Sequence, residues 1–241
     1  MQKVNRNTAI LPPRAFRQLC VMAFTVCLLF TAPLFSRPAI AAGKADGEAL
    51  VASAYATLKS FQANPKLEWF RENLPNAKAV MVIPRSIKGG FIIGGSGGSG
   101  VLLARDPATK SWSYPAFYTI GSITFGLQIG GEVSEIVLLV MTERGVDALL
   151  TTDVKLGGDV SVALGPIGTG IKAQTADILA YTRSKGAYGG LNLEGAVVKT
   201  RNDLNDGYYA QDVSPADILI RRSVGNPDAD QLRAAISEAV K

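Results

Sequence analysis

Between residues 79 and 141 the sequence alternates short apolar runs with glycine breaks, and this pattern limits the possible folds more than any other feature. The runs are too short for helices, contain many β-branched and aromatic residues, and recur about every ten residues. This spacing is typical of an antiparallel sheet or a barrel. The predicted strands are 79–83, which Pro84 should end, then 91–93, 101–104, 114–120, 122–129, 135–141, 160–164, 187–193 and 195–200.

Helical patterns lie mainly at the two ends of this strand-rich region. In segment 46–62, Leu50, Ala54, Leu58 and Phe61 share one helical face. Ser214 and Asn226 are suited to cap two helices near the carboxyl end. The sequence therefore predicts a single α+β domain over residues 42–241, with a mainly antiparallel or barrel-like core. The other helices are predicted at 67–73, 146–150, 215–220 and 227–240.

The first 41 residues have the three parts of a secretory signal peptide. A basic leader contains four cationic residues before position 18, an apolar run follows at 19–30, and Ala39-Ile40-Ala41 provides small residues for cleavage. We therefore expect export, to the periplasm or cell envelope, with cleavage after Ala41. Because the apolar stretch approaches the length of a bilayer span, an uncleaved membrane anchor is the alternative.

Charge and residue usage exclude several classes of function. The chain has a net charge of +5, but five of its 25 basic residues precede residue 42, where no acidic residue occurs. The remaining 20 basic residues are balanced by 20 acidic ones, so a nucleic-acid partner is not expected. The sequence contains no histidine, and both cysteines, Cys20 and Cys27, lie in the apolar run. A histidine-based catalytic triad, a histidine metal site and a disulfide in the mature domain are therefore excluded.

The segment Gly95–Gly100 matches the G-x-G-x-x-G pattern of dinucleotide-binding proteins. That chemistry needs a helix directly after the glycines, with its amino terminus facing the pyrophosphate. Here a short apolar run follows, and Pro107 ends it. The pattern instead favours a glycine-rich hairpin or bulge in which two backbones approach closely. No cofactor is predicted.

The carboxylates do not form a recognisable catalytic pair. Glu132 and Glu135 are three residues apart, which places them on opposite faces of a strand. Glu194 precedes Gly195, and Asp153 and Asp159 flank a glycine pair; such carboxylates are typical of turns or solvated loops. The sequence therefore predicts no catalytic residue and no metal site. A hydrolase with paired carboxylates is the most remote alternative, because sequence does not show which carboxylates are close in space.

Two short basic groups are the candidate ligand-binding residues. Arg85 and Lys88 lie in segment 84–89, and Arg183 and Lys185 lie in segment 182–186. If the two groups converge, they would suit anionic lipid headgroups; otherwise they are ordinary solvated loop residues. The aromatic residues near the middle of the chain are expected to be in the core. They are Trp112, Tyr114, Phe117 and Tyr118.

Five ordered blocks of sequence closely resemble the SYLF domain family, which includes the yeast actin-patch actin-binding domain. The resemblance covers about residues 46–210 and identifies the chain as a bacterial exported member. The blocks are Lys88–Val101, with the glycine-rich segment, Trp112–Ala116, Phe125–Val133, Leu156–Pro166 and Tyr181–Gly195.

The resemblance implies a lipid-binding domain without enzymatic activity. Eukaryotic members bind phosphatidylinositol phosphates and other anionic lipids, and fungal members bind actin. For this chain we therefore expect a membrane phospholipid partner, bound through its headgroup or in an apolar groove. The second hypothesis is an envelope protein-interaction or structural domain with a protein partner. Actin enters only through the family association.

Overall fold

The apolar runs of the sequence form one curled sheet, with helices before, between and after its strands. The computed structural model describes residues 39–90, 93–125, 130–165, 175–184 and 193–240. Within these residues the sheet has eight strands. They are β1 (Ala79–Gly90), β2 (Ile93–Ala104), β3 (Ala116–Phe125), β4 (Gly130–Val140), β5 (Asp153–Lys155), β6 (Val162–Leu164), β7 (Ile178–Ser184) and β8 (Val197–Thr200).

Five α-helices accompany the sheet in the described part of the chain. They are α1 (Ala39–Gln62), α2 (Glu68–Asn73), α3 (Glu143–Leu149), α4 (Asn202–Tyr209) and α5 (Asp230–Ala239). Two predicted caps are confirmed: Ser214 Oγ accepts a hydrogen bond from Asp217 N at 3.3 Å, and Asn226 Oδ1 accepts one from Asp228 N at 3.1 Å. The predicted helix after Ser214 forms as a π-helix, Asp217–Arg221. The α+β class and the single domain are confirmed.

The sheet curls because its two edge strands are joined by a short connection. The strand order is β5-β8-β3-β2-β1-β4-β7-β6, and only β6 and β7 pair in parallel among the described strands. In a flat sheet of eight strands the edges would be about 34 Å apart. Segment 156–161, which joins β5 to β6, reaches at most about 24 Å when extended. The two edges must therefore approach each other, and the sheet forms a half-barrel. This confirms the predicted barrel-like core.

The two faces of the sheet have different surroundings. One face, here called the helix face, packs against α1 and α4: the Phe117 ring lies 4.9 Å from the ring of Tyr208. The other face is here called the inner face. On it the Tyr118 hydroxyl donates a 2.7 Å hydrogen bond to the Leu149 carbonyl at the end of α3. Val154 is also on this face and is buried, whereas its neighbours on β5 point outward and are exposed.

Strand β1 does not end at Pro84, and that prediction was wrong. The strand continues to Gly90 through a bulge between Ile83 and Ser86. Proline lacks a backbone N–H, and a bulge leaves such a residue outside the regular ladder. The bulge therefore lets β1 extend seven residues beyond the predicted end of its apolar run at Ile83.

The glycine-rich segment is part of β2 and pairs with β1, which confirms the predicted hairpin with close backbone contact. A Cβ atom on Gly98 would collide with the Arg85 carbonyl oxygen in the bulge. A Cβ on Gly100 would lie 2.6 Å from both Ile83 Cγ1 and the Val82 carbonyl oxygen. These two glycines are needed because the bulged strand leaves no room for a side chain.

Other parts of the secondary structure also differ from the prediction. Gly121 does not separate two strands, because β3 runs through it, and Gly130 and Gly131 begin β4. Strand β7 and helix α4 were not predicted. Helix α4 contains Asn, Asp and Gly, which are weak helix formers, and its packing against the sheet stabilises it instead. The strand predicted at 187–193 falls outside the described residues except for Leu193.

A buried carboxylate joins three segments at the end of the sheet where β4 ends and β7 begins. Asp177 is only 5% exposed and accepts hydrogen bonds from Thr142 Oγ1 at 2.7 Å and from the N and Oγ atoms of Ser161 at 2.9 and 2.8 Å. Burial alone would raise the pKa of Asp177. The hydrogen bonds from Thr142 and Ser161, together with nearby Arg144, outweigh burial and lower it. Asp177 therefore stays ionised and fixes α3 against β7.

Candidate functional site

A strip of the helix face that no described helix covers is the candidate functional site. Strand pairing aligns Ile87 on β1 with Gly97 on β2, Gly121 on β3 and Val197 on β8. Cross-strand partners share a face, so these four residues form one row. Ile123 follows in the next row, opposite Gly95. We use the name open strip for a set of eight residues. They are Ile87, Gly97, Gly121, Val197 and Ile123, together with the basic residues Arg85, Lys199 and Lys155.

The open strip is apolar and exposed. Ile123 is 74% exposed, Ile87 49% and Val197 40%. The glycines between them have no side chains, so they form a floor between Ile87 and Val197, which are three strand spacings or about 14 Å apart. Exposed isoleucines that are grouped around a flat floor are unusual on a soluble surface and mark a contact surface.

Among the described helices, α1 crosses the sheet beside the strip and leaves the strip uncovered. A Cβ on Gly47 would lie 3.3 Å from Phe117 Cζ on β3. Further along α1, the Thr57 hydroxyl lies 3.5 Å from Glu135 Oε1 on β4, and Ser60 Oγ accepts a 2.6 Å hydrogen bond from Arg183 Nη1 on β7. Helix α1 thus covers the helix face from Phe117 to Glu135. The rows beyond Glu135 form the strip.

Basic residues flank the apolar part of the strip. Arg85 pairs with Ser99 on β2. Ser99 Oγ accepts a 3.1 Å hydrogen bond from Arg201 Nη1, next to α4, which shows that both residues are on the helix face. The Arg85 side chain is exposed and has no ionic or hydrogen-bond partner among the described residues. On β8, Lys199 lies in the same row as Ser99, and its ammonium is 3.6 Å from the exposed carboxylate of Asp153.

Lys155 completes this flank, because it pairs with Val197 across β5 and β8. It is exposed, as are Arg85 and Lys199. The strip therefore combines an apolar centre with three basic side chains around it. This combination suits a partner that presents both apolar groups and negative charge.

The four basic residues predicted as the binding site do not share one face. Arg85 lies on the helix face, at the strip. Lys88 lies on the inner face, where it pairs with Ser96 on one side and Glu132 on the other. Lys185 is outside the described residues. Because β1 continues past Pro84 and pairs regularly from Arg85 onward, these two residues, three apart, lie on opposite faces of the strand.

Arg183 lies on the helix face but is engaged within the protein. Its guanidinium forms an ion pair with Glu135 and lies 5.5 Å from the centre of the Phe61 ring. It also donates the hydrogen bond to Ser60 described above. Arg183 therefore fastens the carboxyl half of α1 to the sheet. Arg85 and Arg183 lie on strands two spacings or about 10 Å apart, and Glu135 is on the strand between them.

The apolar residues of the strip were not among the predicted site residues. Their signal was present in the sequence: Ile87 and Ile123 are isolated among Gly, Ser, Thr and Lys, instead of belonging to a continuous apolar run. In a strand with one covered face, an isoleucine between small polar residues lies outside the core pattern.

The remaining candidates are structural. Trp112, Phe117 and Tyr118 are buried, as predicted, and Tyr114 is half-buried beneath the Arg233 guanidinium at 4.0 Å from its ring centre. Burial also raises the pKa of Tyr118 far above its usual value. Glu132 and Glu135 lie on opposite faces, as predicted from their spacing.

The described residues provide neither a metal site nor a membrane-spanning helix. They contain no group of three or more acidic, Cys or His side chains that could hold a metal ion. Of the helices that the structure describes, none combines the length and the apolar character needed to cross a bilayer.

Fold and strip together define a half-barrel domain that carries helices and has part of one sheet face uncovered by the described helices. Residues 121–239 match the Ysc84 family, which is described as "Las17-binding protein actin regulator". The chain belongs to this family, whose domain is also known as SYLF. The family membership inferred from the five sequence blocks is therefore confirmed, and export stays a prediction.

Three relatives illustrate the similarity. The chain is 36% identical to SH3 domain-containing YSC84-like protein 1 of Rattus norvegicus, over 61% of this chain and 44% of the relative. It is 31% identical to the SH3 domain-containing protein PJ696.02 of Schizosaccharomyces pombe, over 69% and 40%. It is 30% identical to Protein YSC84 of Saccharomyces cerevisiae, over 66% and 35%.

The chain thus spans less than half the length of these curated relatives. Their names and the family description are those of SH3-domain and regulatory proteins, not of enzymes. No solved structure matches the chain.

Proposed function

We propose that this protein is a non-enzymatic domain that associates with anionic phospholipid membranes through the open strip. The observation that supports the proposal is the combination of exposed Ile87 and Ile123 with exposed Arg85 on one uncovered face. Apolar side chains enter the boundary between headgroups and acyl chains, while basic side chains contact the phosphates.

The expected affinity is modest. Burying one isoleucine contributes at least about 1.5 kcal/mol, and one basic side chain near an anionic surface contributes about 1 kcal/mol. Two isoleucines with Arg85 and Lys155 therefore give about 5 kcal/mol, which corresponds to a sub-millimolar dissociation constant. A single copy would bind reversibly, and several copies on one membrane would bind more tightly.

Reversing two charges on the strip tests the electrostatic part of this proposal. We expect the variant Arg85→Glu with Lys199→Glu to bind anionic vesicles at least about tenfold more weakly than the wild type. Co-sedimentation with vesicles of phosphatidylcholine and phosphatidylserine measures this, and salt should weaken wild-type binding because exposed charges are screened.

The matched control is Lys66→Glu with Lys110→Glu, which makes the same change in net charge. Both lysines are exposed, and Lys110 lies in the connection between β2 and β3, away from the strip. This control should bind like the wild type. Equal losses in the two double variants would show that binding depends on net charge and not on the strip.

We also propose that the protein is exported and that residues 1–41 are removed. The compact unit seen in the structure is Ala39–Lys241, so cleavage after Ala41 would remove only the first three residues of α1. Mass spectrometry of the chain recovered from the cell envelope should then give an amino terminus at Ala42. An intact Met1 in the envelope fraction would instead support the uncleaved anchor.

A protein partner is the second candidate, because the family is described as binding Las17 and regulating actin. An apolar strip with basic flanks would also suit an acidic protein surface. Co-sedimentation with purified actin filaments, in the absence of lipid, separates the two candidates. Binding to filaments without binding to vesicles would favour the protein partner.

A further inference from the structure

The Glu135 carboxylate lies between two arginines on the helix face. Strand β4 pairs with β7 on one side, where Glu135 is opposite Arg183, and with β1 on the other, where the bulge containing Arg85 lies beside it. Neighbouring strands are about 4.8 Å apart, which is well within the screening length of about 10 Å at 0.1 M salt. The negative charge of Glu135 therefore lowers the electrostatic potential at the open strip.

The contacts of Glu135 are made inside the protein. Its Oε2 accepts hydrogen bonds from the Arg183 guanidinium, and its Oε1 lies 3.5 Å from the Thr57 hydroxyl of α1. The Glu135 side chain is 28% exposed and the Arg183 side chain 23% exposed. The pair is thus close enough to solvent to influence a ligand on the strip.

We propose that Glu135 limits the affinity of the open strip for anionic surfaces. The carboxylate cancels the positive charge of Arg183, so that of the two arginines in this row only the charge of Arg85 is uncompensated. The proposal rests on the proposed function and adds to it. Glu135 keeps the affinity of the strip for anionic membranes low enough for binding to be reversible.

The test is Glu135→Gln in the full chain, measured by co-sedimentation with vesicles of phosphatidylcholine and phosphatidylserine in equal amounts. Glutamine keeps an acceptor for Arg183 and Thr57 while removing the charge. Because the local charge rises by one, we expect about fivefold tighter binding. The salt dependence should also become steeper, since one more uncompensated cation faces the lipid.

Glu132→Gln is the matched control. It removes the same charge from the same strand, but Glu132 is on the inner face, opposite Lys88. Its binding should remain at the wild-type level. Equal tightening in both variants would overturn the proposal, because net charge alone would then explain the effect.

Arg183→Gln separates charge from structure. Both substitutions weaken the contact that fastens α1, so a purely structural role would change binding in the same direction in both variants. The charge account predicts opposite directions: tighter binding for Glu135→Gln and weaker binding for Arg183→Gln. Changes in the same direction would therefore contradict it.

The wild-type result distinguishes the two proposals. If the wild type binds and Glu135→Gln binds equally well, the role of Glu135 is wrong and the proposed function stands. If only Glu135→Gln binds, the role of Glu135 is supported and the proposed function of the natural chain is not. If neither protein binds, both proposals are wrong.

Discussion

Gly98→Ala is expected to lower the melting temperature by about 10 °C. The new methyl group would collide with the Arg85 carbonyl oxygen in the β1 bulge, and its next neighbours, Ile83 Cγ2 and Ser86 Cα, are at 3.0 Å. A backbone atom moves aside less readily than a flexible side chain. We therefore expect a loss of about 3 kcal/mol in the free energy of unfolding, at the upper end of the usual overpacking range.

Gly97→Ala is the matched control for this effect. Gly97 is the preceding residue, points to the other face and would place its Cβ 3.6 Å from the Ile120 carbonyl oxygen, an ordinary contact. Its melting temperature should stay close to that of the wild type, because alanine in a strand is no worse than glycine. Thermal unfolding followed by circular dichroism measures both variants. Similar losses at Gly97 and Gly98 would contradict the close contact at the bulge.

Ile87→Asp combined with Ile123→Asp should abolish membrane association. The substitution removes the two most exposed apolar side chains of the strip and places two negative charges in front of the lipid phosphates. The lost apolar contact is worth about 3 kcal/mol, so affinity should fall by at least about 100-fold. Vesicle co-sedimentation would then show no bound protein.

Ile220→Asp is the control for general loss of surface hydrophobicity. Ile220 is 52% exposed and belongs to the π-helix. This helix lies at the end of the sheet opposite the strip, because the adjacent Arg222 donates a hydrogen bond to Ser111 in the connection between β2 and β3. We expect this variant to bind vesicles as the wild type does. Since all three isoleucines are exposed, melting temperatures should change little. Loss of binding in Ile220→Asp would show that the strip is not the specific contact.

Sequence pattern predicted the architecture because strand-forming runs depend on local residue preferences. The spacing of the runs led to the antiparallel sheet, and the polar residues Ser214 and Asn226 marked two helix starts that the structure confirms. The predicted close contact at the glycine-rich segment also followed from local chemistry. Glycine is the residue that tolerates a neighbouring backbone at such short distance.

Long-range pairing decided what the sequence could not show. A bulge at Pro84 depends on the partner strands, so β1 was predicted too short, and the faces of Arg85 and Lys88 were not resolved. The engagement of Arg183 by Glu135 likewise depends on β7 lying beside β4. Composition identified basic residues, but only the register showed which of them reach the open strip.

The most direct test of the central proposal is a fluorescent label at the strip itself. Ile123→Cys would carry an environment-sensitive fluorophore in a full chain whose Cys20 and Cys27 are replaced by serine, and Ile220→Cys would carry it in a second chain. The account predicts that phosphatidylserine-containing vesicles shift the emission to shorter wavelength for the label at position 123, with no shift at position 220. An unchanged spectrum at position 123, or equal shifts at both positions, would contradict membrane contact through the open strip.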